Sequence, residues 1–486
     1  MFLKSGYYWP ALVVLAVAPY LTGLHYEFVY DDHGVIVENP FFHEENPWRE
    51  VVSLQTMIRH DVVDGQRPAL IATYLVDRMA WGLWPPGYRI TNLFFHSLVI
   101  LLLGGFLVRL TGSRSASACA VLLFAWHPLL VEAVQSPSFR EDILYVCGGM
   151  FLLMSACRRE ASIGWMAVGA STYALALLSK ESAVVFPVLM VATWMLFPST
   201  KPSRSFQWGW LAVVAVVTIP VAWLIFTGRP VQALGGGWNG VSFRGSEGLW
   251  SAPWLLSWTL SRFFAPFWLS IDYRLTPLDG PLNVKFLCGV LTMSVMICAA
   301  FSVRKRTPVI SLGLLWAVVA FVPASNVVPL LNPAADRYAY GILPALSIVA
   351  AGLCLRFSRR AMYPFIALAV MLLSVTMVRL MDWKNDLSLW SSALLVEPAS
   401  ARAHTWLGIL EEQKGNPDSA MDYYLAAERL NPSDVTPMVN RAILLGKEGN
   451  LDLAESLLLS ALTRRPDHPQ ALANLHVVRR LKEQAP

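Results

Sequence analysis

The chain has 486 residues, 55% of them hydrophobic and only 15% charged, with 19 Trp and 23 Phe. Charged residues make up roughly a quarter of an ordinary globular chain, so this balance, with a mean hydropathy of +0.48, excludes a soluble domain as the main body. A polytopic membrane protein fits instead, and a formal charge of +5 carried by short loops gives no basis for a nucleic-acid partner.

The first apolar stretch, "MFLKSGYYWPALVVLAVAPYLTGL", lacks a convincing signal-peptide cleavage site and is expected to stay as an uncleaved span. A helix needs about 20 apolar residues to cross the hydrocarbon core. Candidate spans run over residues 7–24, 88–109, 115–133, 141–157, 161–179, 183–198, 208–226, 284–303, 308–325, 338–356 and 361–380. About eleven are therefore expected. The six cysteines lie inside or at the ends of these runs without metal-ligand spacing, which fits buried thiols rather than a disulfide or zinc framework.

Orientation follows from the basic loops. Arg109 with Arg114, Arg158 with Arg159, Lys201 with Arg204, Arg304 to Arg306, and Arg356 with Arg359 and Arg360 fall in every second connection. The positive-inside rule puts these loops, and the N-terminus with Lys4, in the cytoplasm. Residues 25–87, 134–140, 179–182, 227–283, 326–337 and the tail then face outward. Two apolar stretches in outward loops, 252–270 and 69–84, are expected to be re-entrant or interfacial.

From residue 382 the composition turns polar, dividing the chain into a membrane domain, 1–381, and a tail, 382–486. The tail repeats every 34 residues: Pro398, Pro432 and Pro466; Gly415 and Gly449; Ala393, Ala427 and Ala461. This is the tetratricopeptide pattern of stacked helical hairpins. About two to three repeats are expected, closed by a capping helix in "ALANLHVVRRLKEQ". The array either binds a peptide or protein or serves as a stabilising cap.

Ionisable side chains gather on the outward side, where charge near a bilayer marks candidate sites. Asp31 and Asp32 follow the first span; Arg89 heads the second. His127 and Glu132 end the third, Arg140 and Asp142 open the fourth, Lys180 and Glu181 form a tight turn, and Asp336, Arg337 and Tyr338 close the last outward loop. Carboxylates can take a proton from an attacking hydroxyl, and Arg or Lys can hold a phosphate. Plainer roles compete: Asp-Asp-His-Gly is good turn chemistry, Arg89 and Arg140 could snorkel at helix ends, His127 could be structural, and Lys180 with Glu181 a local ion pair.

The stretches "FVYDDHGVIVENP", "LLFAWHPLLVEAV", "SFREDIL", "LALLSKESAVVFPVLM", "VPASNVV" and "DRYAYGILPALS", in this order and followed by the repeats, resemble the transmembrane and tetratricopeptide repeat-containing O-mannosyltransferases. That family belongs to the GT-C superfamily of glycosyltransferases. The resemblance implies an all-α, GT-C-like helical bundle with an extracytoplasmic repeat solenoid. It implies an inverting transfer of a sugar, mannose in that family, from a polyprenyl-phosphate-sugar to a protein or glycan acceptor. It also implies a bacterial inner membrane, or the endoplasmic reticulum membrane in a eukaryote.

The catalytic base would be Asp31 or Asp32, with Asp31 preferred. Arg337 would contact the donor phosphate, with Lys180 and Arg140 as further phosphate contacts. His127, Glu132, Asp142, Glu181, Arg89 and Tyr338 are possible substrate contacts. Asp336 stands where the family has Glu, and Phe139-Arg140-Glu141-Asp142 where Gly-Arg-Ala-Asp is usual. No metal or other cofactor is expected, since a monophosphate donor has no pyrophosphate to neutralise. The alternative is a non-enzymatic membrane scaffold whose tail recruits an envelope or lumenal protein. A transporter is disfavoured because the spans hold almost no ionisable residues at mid-depth.

Overall fold

The computed structural model describes residues 8–44, 46–51, 53, 64, 66–158, 162–228, 246–356 and 362–484. Lys4, Arg159, Arg359, Arg360 and residues 229–245 of the second large loop lie outside the described residues.

Proline at the first helical turn, where its missing N–H costs nothing, starts many of the helices. In chain order they are α1 Tyr8–Val17, α2 Pro47–Val51, α3 Pro68–Trp81, α4 Pro85–Thr111, α5 Arg114–Ala125, α6 Val131–Gln135, α7 Arg140–Ala156, α8 Ile163–Leu177 and α9 Val185–Leu196. These are followed by α10 Arg204–Gly228, α11 Ser246–Phe264, α12 Val284–Val303, α13 Pro308–Phe321, α14 Pro344–Arg356 and α15 Met362–Asp382. The tail supplies α16 Asp386–Val396, α17 Ala401–Gln413, α18 Pro417–Leu430, α19 Thr436–Lys447, α20 Leu451–Arg464 and α21 Pro469–Gln484. No strand occurs among the described residues, so the all-helical class expected from the sequence holds.

Each of the eleven expected spans falls on a helix or a helix pair, and they differ in length. Among the described residues, five helical segments are long and apolar enough to cross a membrane: Pro85–Thr111, Arg204–Val221, Val284–Val303, Asp336–Arg356 and Met362–Asp382. The pair Arg114–Ala125 and Pro128–Gln135, bent by 58°, makes a sixth if it counts as one span. The other expected spans are helical but shorter, as in Ile163–Leu177 and Glu181–Leu196. Fifteen residues of helix reach about 22 Å, short of a hydrocarbon core of about 30 Å.

The reason is visible at one end of the bundle. Helices there give way to 3-10 turns at Ala18–Gly23, Pro128–Leu130, Pro137–Phe139, Glu181–Val184 and Asp336–Gly341, where prolines and polar side chains interrupt the apolar run. The long helices meanwhile turn apolar side chains such as Val216, Ile219, Leu291 and Val295 to the outside, as lipid-facing surfaces do. The chain is an integral membrane protein.

Close packing relies on small residues. A Cβ on Gly148 of α7 would lie 2.3 Å from the Thr172 carbonyl oxygen of α8, so those backbones touch with nothing between. The stretch expected to be re-entrant or interfacial is α11 followed by an irregular segment, 265–283, and α11 packs on α12. The 69–84 stretch is α3, whose Val76 and Met79 are exposed beside the exposed Trp81 and Trp84, an apolar face suited to the headgroup region.

The tail is a short solenoid. Helices α17 with α18 and α19 with α20 form two hairpins, and α21 caps them. Gly415 and Gly449 close the two hairpin turns at φ +81° and +84°, a conformation that glycine adopts without a Cβ clash. Helix α16 ties the solenoid to the bundle: Trp390 is fully buried and stacks on Trp406 of α17, with ring centroids 5.6 Å apart. A buried ring of that size contributes on the order of 4 kcal/mol of apolar burial, so the tail is firmly seated.

Candidate active site

Between the interrupted helix ends and the tail lies a cavity of about 1110 Å³. Its walls carry Asp31 and His33 from the first loop, Glu141, Asp142 and Tyr145 from α7, and Lys180 and Glu181 from the turn before α9. Arg337 and Tyr338 come from the last 3-10 turn, and Trp406, Leu410 and Gln413 from α17. Residues from the first, third and last outward segments therefore meet in one place, with the tail as a wall.

The Asp-Asp pair is split by its turn. Asp31 faces the cavity. Asp32 is fully buried behind it, accepting hydrogen bonds from the Ser138 amide at 2.8 Å, the Ser136 hydroxyl at 2.9 Å and the Val29 amide at 3.2 Å. Asp32 thus staples the first loop to the turn ahead of α7. Burial raises the Asp31 carboxyl to about 6, with Arg402 and then Arg337 drawing it down and Asp32 pushing it up.

Tyr30 sets the direction of this turn. It has φ of 55°, a left-handed conformation uncommon for a bulky residue and costly unless its surroundings hold it. They do. Its amide donates to Asp386 Oδ1 at 2.8 Å, its hydroxyl accepts from Arg402, and its ring meets Trp390 edge-on at 5.5 Å. His33, two residues past Asp31, reaches the other oxygen of Asp386 at 2.8 Å, and that contact raises its pKa. A π-helical turn over His33–Val37 follows, a rare geometry frequent at functional sites.

The Arg337 guanidinium carbon lies over the Phe139 ring, 4.0 Å from its centroid. Its guanidinium and its backbone amide both bond the buried Glu132 carboxylate. Glu132 therefore does not line the cavity but fixes the residue that does. Lys180 donates to Asp142 Oδ2 at 2.6 Å, and Arg67, which also lines the cavity, pairs with Asp64 at 3.0 Å and Glu181 at 3.5 Å.

Besides Glu132, three expected contacts sit elsewhere. Arg140 is fully buried, donating to Asn92 at 2.7 Å, Thr73 at 3.0 Å and the Tyr88 carbonyl at 3.1 Å, besides its ion pair with Asp77. It fastens α7 to α3 and α4 and does not line the cavity. Arg89 gathers the backbone carbonyls of Tyr26, Glu27 and Gln135, which anchors the start of the first loop. His127 caps its own turn through the Leu129 amide at 3.3 Å, and its other nitrogen lies 3.2 Å from the Phe263 carbonyl oxygen.

A family model described as tetratricopeptide repeat matches residues 387–435. A protein O-mannosyl-transferase of Caenorhabditis elegans is 26% identical over 87% of this chain and 62% of its own length. Protein O-mannosyl-transferase TMTC4 of Mus musculus is also 26% identical, over 86% of this chain and 66% of its own length. Its curated relatives are protein O-mannosyl-transferases. The chain spans about two thirds of their length or slightly less. Among solved structures, ArnT from Cupriavidus metallidurans in the apo state is similar at 18% identity, covering 88% of this chain and 80% of that one, with a TM-score of 0.46.

Sequence reading missed Arg402, Trp406 and Asp386. A signal for two of them was present. In the 34-residue register Arg402 stands where the later repeats carry Thr436 and Gln470, and Trp406 where they carry Asn440 and Asn474. Polar helix surface in two repeats is thus replaced by a cation and a large aromatic in the first, and this is the helix that meets the bundle. Among the described residues no three His, Cys, Asp or Glu side chains are grouped to hold a metal ion.

Proposed function

We propose that the chain is an inverting glycosyltransferase that moves a hexose, mannose by the names of its relatives, from a polyprenyl-phosphate-sugar to a hydroxyl of a protein or glycan acceptor. The positive-inside reading puts the cavity on the extracytoplasmic face. The supporting observation is that Asp31 and Arg337 line the same cavity, close enough for each charge to act on the other.

In this reading the acceptor oxygen attacks the anomeric carbon from the face opposite the lipid phosphate. Asp31 takes the hydroxyl proton as the new C–O bond forms. A carboxylate held near 6 is ionised at neutral pH yet more basic than an ordinary aspartate. The bond from the anomeric carbon to the phosphate oxygen breaks, and the lipid phosphate leaves with the electron pair. Arg337, oriented by Glu132 and Phe139, stabilises that charge as it develops. The reading calls for no metal, because the leaving group is a monophosphate.

The test is transfer of labelled mannose from polyprenyl-phosphate-mannose in membranes carrying the protein. Transfer is expected for the intact chain and absent for Asp31→Asn. Full transfer by Asp31→Asn sinks the assignment of the base, and no transfer by the intact chain to any hydroxyl acceptor supports the scaffold alternative.

A further inference from the structure

One end of the cavity carries more acid than base. Asp64, Glu141, Asp142 and Glu181 surround Arg67 and Lys180, and all six line it. Asp142, Asp64 and Glu181 each have a close cationic partner. Glu141 differs. It is 4% exposed, Arg67 and Lys180 reach only its Oε1 at 3.5 and 3.6 Å, and its Oε2 has no hydrogen-bond partner. A buried carboxylate short of hydrogen bonds is costly, and Glu141 lines the cavity, so its carboxyl group marks a place for a donor supplied by a ligand.

The chemistry of that ligand is constrained. An anion would meet four carboxylates against two cations that are already paired with them, so this end suits a phosphate less well than the Arg337 end. A sugar ring offers hydroxyl donors without adding charge, and the Tyr145 and Tyr338 rings, whose centroids lie 6.0 and 5.6 Å from the Lys180 nitrogen, suit its C–H faces. The Tyr338 ring lies between the two ends of the cavity, with Lys180 5.6 Å from its centroid and Arg337 5.2 Å. A hexosyl phosphate with its phosphate at Arg337 would place its ring toward Glu141.

We propose that the acid-rich end of the cavity is the subsite for the hexose ring of the lipid-linked donor, with the Glu141 carboxylate accepting a hydrogen bond from a ring hydroxyl. This rests on the glycosyltransferase reading and deepens it. Asp142 and Glu181, held by Lys180 and Arg67, form the rim of the same subsite. Glu141 then selects the sugar, while Arg337 holds the group that all such donors share.

The experiment compares binding of polyprenyl-phosphate-mannose and bare polyprenyl phosphate to the purified full chain. The intact protein is expected to prefer the glycosylated lipid by about tenfold or more, as one hydrogen bond to a charged group allows. Glu141→Ala should lose most of that preference and Glu141→Gln part of it, with the bare lipid bound as before. An unchanged preference in both variants overturns the subsite while leaving the enzyme reading intact. Binding of neither lipid by the intact protein overturns both. A series of singly deoxygenated mannosyl donors tests the intact protein without any substitution: one position should weaken binding about tenfold, and a flat series overturns the proposal.

Discussion

Arg402, in the first full helix of the repeat tail, donates to the hydroxyl of Tyr30, a residue 372 positions earlier and immediately before Asp31. The same guanidinium lies 4.8 Å from the Tyr30 ring centroid, donates to Asn332 at 3.1 Å and sits 3.8 Å from Asp272. The tail therefore holds the turn that aims the candidate base. Arg402 is also the strongest charge drawing the Asp31 pKa down. Replacing it with Gln should raise that pKa, so the acid limb of the transfer-versus-pH profile moves to higher pH, and Lys should restore part of the shift. A limb that stays in place in Arg402→Gln refutes the coupling.

Asp31 itself predicts a pH dependence. The base must be ionised, so transfer should fall as pH drops through about 6, by about tenfold for each further unit. Transfer measured from pH 4.5 to 8 checks this, and a profile flat down to pH 5 assigns the proton to another group.

Asp32 predicts a different outcome from its neighbour. Asp32→Asn removes a buried carboxylate that accepts three hydrogen bonds, and about 2 kcal/mol of stability should go with it. Thermal unfolding in detergent should show the loss, while the folded fraction keeps measurable transfer. Asp31→Asn should show the reverse: near-native melting and no transfer.

Glu132 predicts a positioning effect. Removing one partner of a buried ion pair costs on the order of 3–5 kcal/mol, and Glu132→Gln leaves Arg337 without its carboxylate. The melting temperature should fall, and affinity for bare polyprenyl phosphate should change together with turnover. Lipid affinity equal to that of the intact protein would separate Glu132 from the phosphate.

The tail divides into a part that builds the site and a part that does not. Asp386, Trp406, Leu410 and Gln413 line the cavity, whereas none of the described residues beyond Gln413 does. Removing residues 386–486 should abolish transfer even to a small acceptor. Removing 435–486, the second hairpin and its cap, should preserve it. Robust transfer by the longer deletion would show that the tail wall is dispensable.

Much of this architecture could be read from the chain because it rests on periodic signals. Apolar runs located the helices to within a few residues, and the 34-residue spacing located the hairpins. Helix lengths were harder to read, because proline turns at the cavity end shorten helices whose composition stays apolar. Neighbouring residues were harder still. Asp31 and Asp32 have the same chemistry, and only the left-handed Tyr30 turn sends one to the cavity and the other to Ser136 and Ser138. Arg140 and Arg337 are both buried arginines beside aromatic rings, and their difference lies in partners far away in sequence: Asp77 and Asn92 for one, Glu132 for the other. Glu141 looked like a departure from a family pattern; its unpartnered oxygen gives that departure a physical meaning.

The wall supplied by α17 also imposes an order of events. A chain is made from its N-terminus and its early segments fold first, so the bundle carrying Asp31, Lys180 and Arg337 exists before Arg402 and Trp406 have left the ribosome. Until α16 and α17 reach the same side of the membrane and dock, the Tyr30 turn lacks its clasp and the cavity one of its sides. On the proposed function, a stalled or prematurely terminated product is then an inert bundle, unable to discharge a lipid-linked sugar onto stray hydroxyls or water. Competence arrives late in synthesis.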